Sequence, residues 1–275
     1  MTKLNSLNER IMSTMRILDS HAHLDDDLFD TDRDELFESM AQTGIETAII
    51  PGVSPERWDK QLDIAKRYSC PYGLGIHPWF CEDNPQQALK QLTDKLNRYR
   101  EDPYLVAIGE CGLDKIRKDN WDGQIIALEA QLSMAQQLNL PVILHVVKAH
   151  SEMLAILKRY SLPRGGVIHG FYGSLEIASE YIKLGFKLGI GGLILNTSAR
   201  KLKTCVAQLP LESLLIETDS PAMTPRNAAE SRNTPLILQS IIAEIANLHK
   251  KSSVLISEHA FRNAVQLFDL KLILI

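Results

Sequence analysis

The sequence predicts an α/β protein, a single-domain TIM-like (β/α)8 barrel, on three observations. Its 275 residues suffice to bury one sizeable core. Short β-rich runs alternate with longer amphipathic stretches, as in a parallel α/β chain. Most of the residues able to hold a metal fall at the C-terminal ends of those runs, the face on which barrel enzymes build their sites.

The eight β-rich runs are 16–20, 46–51, 71–76, 105–109, 142–144, 166–168, 186–190 and 214–217. Several contain unbroken apolar triplets, such as Val142-Ile143-Leu144 and Leu214-Leu215-Ile216. Parallel strands covered on both faces have this composition. Helical patterns occupy 34–43, 55–68, 86–100, 123–138, 149–160, 175–184 and 199–208, and two more, 235–248 and 253–267, close the chain. Gly44 follows the first of these as a C-terminal cap. Residues 1–15 are polar, with further methionines at Met12 and Met15 and no apolar stretch of a signal peptide. They read as a poorly ordered extension ahead of a barrel spanning 16–275.

Composition narrows the function classes. Apolar residues make up 45% and charged residues 23%, which fits a globular fold rather than a disordered chain. A formal charge of −4 offers no basic field for non-specific nucleic-acid binding, so such a substrate must be held by the site itself. No run approaches the roughly 20 apolar residues of a membrane span. Cys70, Cys81, Cys111 and Cys205 are dispersed and form no CxxC pair, which implies free thiols and a cytoplasmic location. Nothing in the chain implies an obligate protein partner.

The chemistry is carried by residues at the run ends. His21 and His23 follow the first run, His77 the third and Glu110 the fourth; His145 and His169 end the fifth and sixth; Asp219 follows the eighth. On an extended strand the two rings of an HxH pair project to one face, so His21 and His23 can share a cation. Imidazoles mixed with carboxylates suit zinc, manganese, iron or cobalt, whereas carboxylate and water suit magnesium. The set is large enough for two divalent ions, with Glu110 able to bridge them because a carboxylate has two oxygens. Taken singly, each residue has a plainer reading. His145 and His169 could be satisfied core histidines, Asp219 and Glu217 could cap the turn near Pro221, and Glu110 could pair with a lysine. Taken together, the plain readings do not explain why the residues gather at one end of the strands. His150, His249 and His259 lie in helical patterns and read as structural or surface residues.

In order along the chain come DSHAHLD, GIHP, AIGECGLD, PVILH, HGFYGS, ETDSP and RNTP. With these motifs the sequence resembles the TatD family of metal-dependent hydrolases and DNases over roughly residues 16–268. The resemblance implies one metal at His21, His23, Glu110 and Asp219, and a second at Glu110, His145 and His169, with magnesium, manganese or zinc as the ions. It implies catalytic roles for Asp219, which would orient or deprotonate the attacking water, and for Glu110. Asp19 and Glu217 would fix the orientation and basicity of the ligands. His77 would contact a substrate phosphate, and Phe171 with Tyr172 would line the pocket floor. The pattern breaks after the fifth run: the family's HxR is His145-Val146-Val147 here, with Val147 in the arginine's place and Lys148 beside it as the alternative contact. Lys115, Arg117 and Lys118 form a basic loop, and Trp79 and Phe80 could stack a base.

Three functions compete. The first is a 3'-5' exonuclease-like cleavage of DNA or another phosphodiester by a water activated at two metals. The second is hydrolysis of a C–N, ester or lactone bond in a small molecule. Related barrels of that kind often bridge their metals with a carboxylated lysine, and Glu110 in that place favours the first. The third, a binding scaffold without activity, fits poorly with a complete ligand set.

Overall fold

A computed structural model describes residues 15–226 and 232–272. Eight parallel strands form the inner ring: β1 (Ile17–Asp19), β2 (Ile45–Ala48), β3 (Tyr72–Leu74), β4 (Leu105–Asp114), β5 (Val142–Val147), β6 (Gly166–Ile168), β7 (Phe186–Ile190) and β8 (Leu214–Ile216). Nearly every residue in them is buried, which explains their apolar runs. β1 pairs with β2, and β3 to β8 pair in sequence order. Ile50 bridges to Tyr72, joining β2 to β3, and Ser20 N donates to Ile216 O (3.0 Å), joining β8 back to β1.

The outer layer holds α1 (Arg33–Gln42), α2 (Pro55–Tyr68), α3 (Gln86–Tyr99), α4 (Trp121–Leu138), α5 (His150–Leu157), α6 (Leu175–Lys183), α7 (Arg200–Val206), α8 (Leu238–His249) and α9 (Ser253–Phe268). Pro55 opens α2, where its missing N–H costs nothing. Trp58 is buried on α2 and donates its indole N–H to Gly75 O (3.0 Å), fastening the helix to the loop after β3. α1 ends as expected, with Gly44 at φ 77°. The helical pattern from 235 begins instead as a 3-10 turn, Pro235–Ile237, before α8. Residues 1–14 of the expected extension lie outside the described residues. Met15 is 5% exposed and belongs to the core, so the folded body reaches at least one residue further back than expected.

The barrel's two ends differ in chemistry. Leu18, Ile49, Val106, Ala107, Ile143, Val167 and Leu215 make an apolar plug, covered by Phe261, Ala264, Leu267 and Phe268 of α9. Two residues further along the same strand faces stand His145 after Ile143, His169 after Val167 and Glu217 after Leu215. The apolar layer thus supports a polar one at the C-terminal mouth. Among the described residues no helix is long and apolar enough to cross a membrane.

Candidate functional site

The polar layer is centred on Glu110, which is 1% exposed. Its Oε2 lies 3.2 Å from His21 Nε2 and 3.3 Å from His23 Nε2. Its Oε1 lies 3.2 Å from His77 Nε2, 3.1 Å from His145 Nδ1 and 2.8 Å from His169 Nε2. Five imidazoles therefore surround one carboxylate, divided between its two oxygens. Asp219 Oδ1 completes the Oε2 side, 3.4 Å from His21 Nε2 and 3.5 Å from His23 Nε2. Glu110 is not beyond its strand, as the sequence implied, but inside it: β4 runs on for five residues past Gly109.

Backbone bonds across the β1–β8 seam set the first group. Asp219 N donates to His21 O (2.8 Å), and His23 N to Ser220 O (2.7 Å). Asp19 is fully buried beneath them; its carboxylate accepts from His21 N (3.1 Å), Thr218 N (3.0 Å) and Thr218 Oγ1 (2.6 Å). Burial pushes its carboxyl up to about 7 against those hydrogen bonds.

The second group is oriented through the far nitrogens of its rings. His145 Nε2 faces Asp114 Oδ2 at 3.3 Å, which leaves the Nδ1 lone pair pointing into the site. Asp114 also accepts from Trp79 Nε1 (2.7 Å). His169 Nδ1 faces Glu217 Oε1 at 3.7 Å, and that oxygen accepts from Gly170 N as well. Gly189 makes room for Glu217, since a Cβ there would lie 2.1 Å from Glu217 Oε2. His77 differs from its neighbours. Trp79 N donates to His77 Nδ1 (3.1 Å), so the ring proton sits on Nε2 and is directed at Glu110. Burial drives this imidazole down to about 4 despite the pull of Glu110, so it is a neutral donor rather than a lone-pair ligand.

The donor set fits cations. His21 Nε2 and His23 Nε2 lie 3.3 Å apart, and His145 Nδ1 and His169 Nε2 lie 3.1 Å apart. Ring nitrogens this close can share a proton or a metal cation, and either way the site favours positive charge. Ligand atoms of His21, His23 and Asp219, and of His21, Glu110 and His169, lie within 4.8 Å of one another; those of His77, Glu110 and His145 do so too, with His77 turned as a donor to the carboxylate. The local field points the same way. Burial lowers His23, but hydrogen bonds and charge from Asp219 and Glu110 outweigh it and raise the ring to about 10. Burial likewise raises Glu110 and Asp219, yet the surrounding imidazoles hold both well below the usual carboxylate range.

Above this floor opens a cavity of about 270 Å³, bordered by His23, His77, Glu110, His145, His169 and Asp219. Its walls add Asp25, Asp26, Arg57, Trp79 and Phe80. His21 lies beneath, fully buried. Two expected substrate contacts are corrected. Phe171 is 2% exposed and packed toward His150, because the chain past Gly170 turns it into the core and leaves Tyr172 outside. Lys148 is exposed, takes a left-handed turn (φ 54°) between β5 and α5, and does not line the cavity. Of the basic loop, Lys115 pairs with Glu152, and Arg117 lies over the Trp79 ring at 5.2 Å. Asp114, Asp25 and Arg57 were not singled out from sequence. Asp114 had a signal: it sits four residues after Glu110 on one strand, hence on the same face.

The chain is similar to known metal-dependent hydrolases and nucleases. The family model for TatD related DNases matches residues 18–269. An uncharacterised metal-dependent hydrolase of Escherichia coli, YjjV, is 36% identical over 92% of this chain and 98% of its own length. A 3'-5' ssDNA/RNA exonuclease, TatD of Cronobacter turicensis, is 33% identical over 87% of this chain and 93% of its own. The crystal structure of YjjV superposes with a TM-score of 0.87, covering 93% of this chain and 98% of that one.

Proposed function

This chain belongs to the TatD-related DNase family and is a metal-dependent hydrolase, and from that premise we propose that it removes nucleotides from the 3' end of single-stranded nucleic acid by hydrolysing phosphodiester bonds. The observation that carries the reading is the division of the Glu110 oxygens. Oε2 faces His21 and His23 while Oε1 faces His145 and His169, so Glu110 would serve both groups if each held a divalent cation. Divalent ions held there, magnesium, manganese or zinc, would supply Lewis acidity toward phosphoryl oxygens and a more acidic water at neutral pH.

The remaining work falls to this chain's own residues. Asp219 reaches the cavity with its side chain 14% exposed, which supports its reading as the group that accepts the proton of the attacking water. His77, with its Nε2 proton directed at Glu110, steadies that carboxylate at the edge of the cavity. Asp114 holds the ring of His145, and the Glu217 carboxylate, 3.7 Å from His169 Nδ1, acts on that ring through its charge. No lysine lines the cavity among the described residues, so the carboxylated-lysine bridge of the amide- and lactone-cleaving reading has no counterpart. The four cysteines are free and buried, which supports a cytoplasmic setting.

The test is a set of oligonucleotides labelled at either end, given to metal-loaded protein with magnesium, manganese or zinc. Stepwise shortening from the 3' end, abolished by chelator, is expected. Intact substrate with every ion overturns the reading.

A further inference from the structure

A phosphodiester entering this cavity meets an acidic wall. Besides Glu110 and Asp219, the lining carries Asp25 and Asp26, and Asp25 keeps a buried Oδ1 without a hydrogen-bond partner. Against these stands one permanent cation: Arg57 is the only Lys or Arg lining the cavity among the described residues. It comes from the first turn of α2, so its backbone is rigid. Its guanidinium lies 5.7 Å from the Phe80 ring centroid and 3.7 Å from Asp26 Oδ2, and its side chain is 47% exposed. The ring and the loose ion pair confine the fork without consuming its donors. Lys148, the contact expected from sequence, is outside.

We propose that Arg57 is the residue that binds the substrate's phosphate outside the metal pocket, with Phe80 holding its guanidinium plane. This rests on the phosphodiesterase reading of the same site. Arginine suits the task because its fork matches two phosphate oxygens at once. Phe80 and Trp79, 40% and 52% exposed, stand on the same rim where an unpaired base leaving that phosphate can stack. Arg57 thus offsets Asp25 and Asp26 on the wall outside the metal pocket and gives a phosphate a fixed place there.

The full-length, metal-loaded protein serves for the test, as wild type, Arg57→Ala, Arg57→Lys and Arg117→Ala at matched metal content. Two quantities are read: hydrolysis of a single-stranded oligonucleotide, and equilibrium binding of thymidine 5'-monophosphate against thymidine. Arg57→Ala should weaken nucleotide binding and raise KM by about tenfold to a hundredfold, the scale of a charge-assisted hydrogen bond, and leave thymidine binding unchanged. Arg57→Lys should recover only part of the loss. Arg117→Ala should behave as wild type. Equal nucleotide binding by wild type and Arg57→Ala overturns the assignment. So does an equal loss for nucleotide and nucleoside, a loss confined to Arg117→Ala, or a wild type that binds no nucleotide. A wild type that binds the nucleotide through Arg57 but cuts no oligonucleotide upholds the Arg57 contact and overturns the nuclease reading.

Discussion

Asp114 Oδ2 stands 3.3 Å from His145 Nε2, on the side of the ring away from Glu110. The carboxylate selects which imidazole nitrogen keeps its proton and so which one offers a lone pair to the site. Asp114→Ala should lower metal affinity or activity by about tenfold to a hundredfold with the fold retained. Trp79→Phe, which removes one other donor to Asp114 and leaves that from Ile116 N, should leave metal affinity near wild type. Metal titration of both variants checks this, and equal losses in the two would refute it.

Asp219→Asn should reduce kcat by about 10²–10⁴, because an amide accepts no proton and is a weaker ligand than a carboxylate. The circular dichroism spectrum should be unchanged. Turnover at the wild-type rate by this variant would remove Asp219 from the proton-transfer role.

Gly189→Ala should destabilise the protein by about 1–3 kcal/mol, since its Cβ would collide with Glu217. It should also lower activity, because Glu217 can no longer support His169. Adding Glu217→Ala should restore most of the lost stability and none of the activity. A double-mutant cycle on melting temperature checks the coupling; additive losses would show that the two positions do not interact.

Chelation should leave a folded protein that melts at a lower temperature, since the apolar plug and helix layer do not depend on ions. Free metal at 100 times its Kd stabilises by about 2.7 kcal/mol, which corresponds to roughly 5–10 °C for a domain of this size. Calorimetry with and without chelator checks the shift. Unfolding outright on chelation would mean that the metal centre organises the barrel, rather than resting on it.

The barrel was legible because its signals are local. β6, β7 and α2 match their expected limits, since apolar triplets between turn residues and a proline at a helix start need no tertiary information. The metal-capable residues were legible because the mouth of a barrel gathers strand ends. What escaped depends on direction rather than identity. Glu110 was placed beyond β4 because the strand continues through Cys111 and Gly112, where Gly112 (φ 151°) lets the backbone pass close to His145. Phe171 and Lys148 were misassigned because chain reversals at Gly170 and Lys148 decide which side chain faces inward. Arg57 lies in an amphipathic helix, where a charged residue carries no mark that its neighbour in space is Phe80.

Asp19 and Thr218 are 199 positions apart in the sequence and in contact at the seam. A polypeptide emerging from the ribosome can pair its early strands in order, yet it cannot bring His21 and His23 to Asp219 until the eighth strand has docked. Competence to cut is therefore the final event of assembly, and fragments ending before β8 are inert however well their earlier portion is folded.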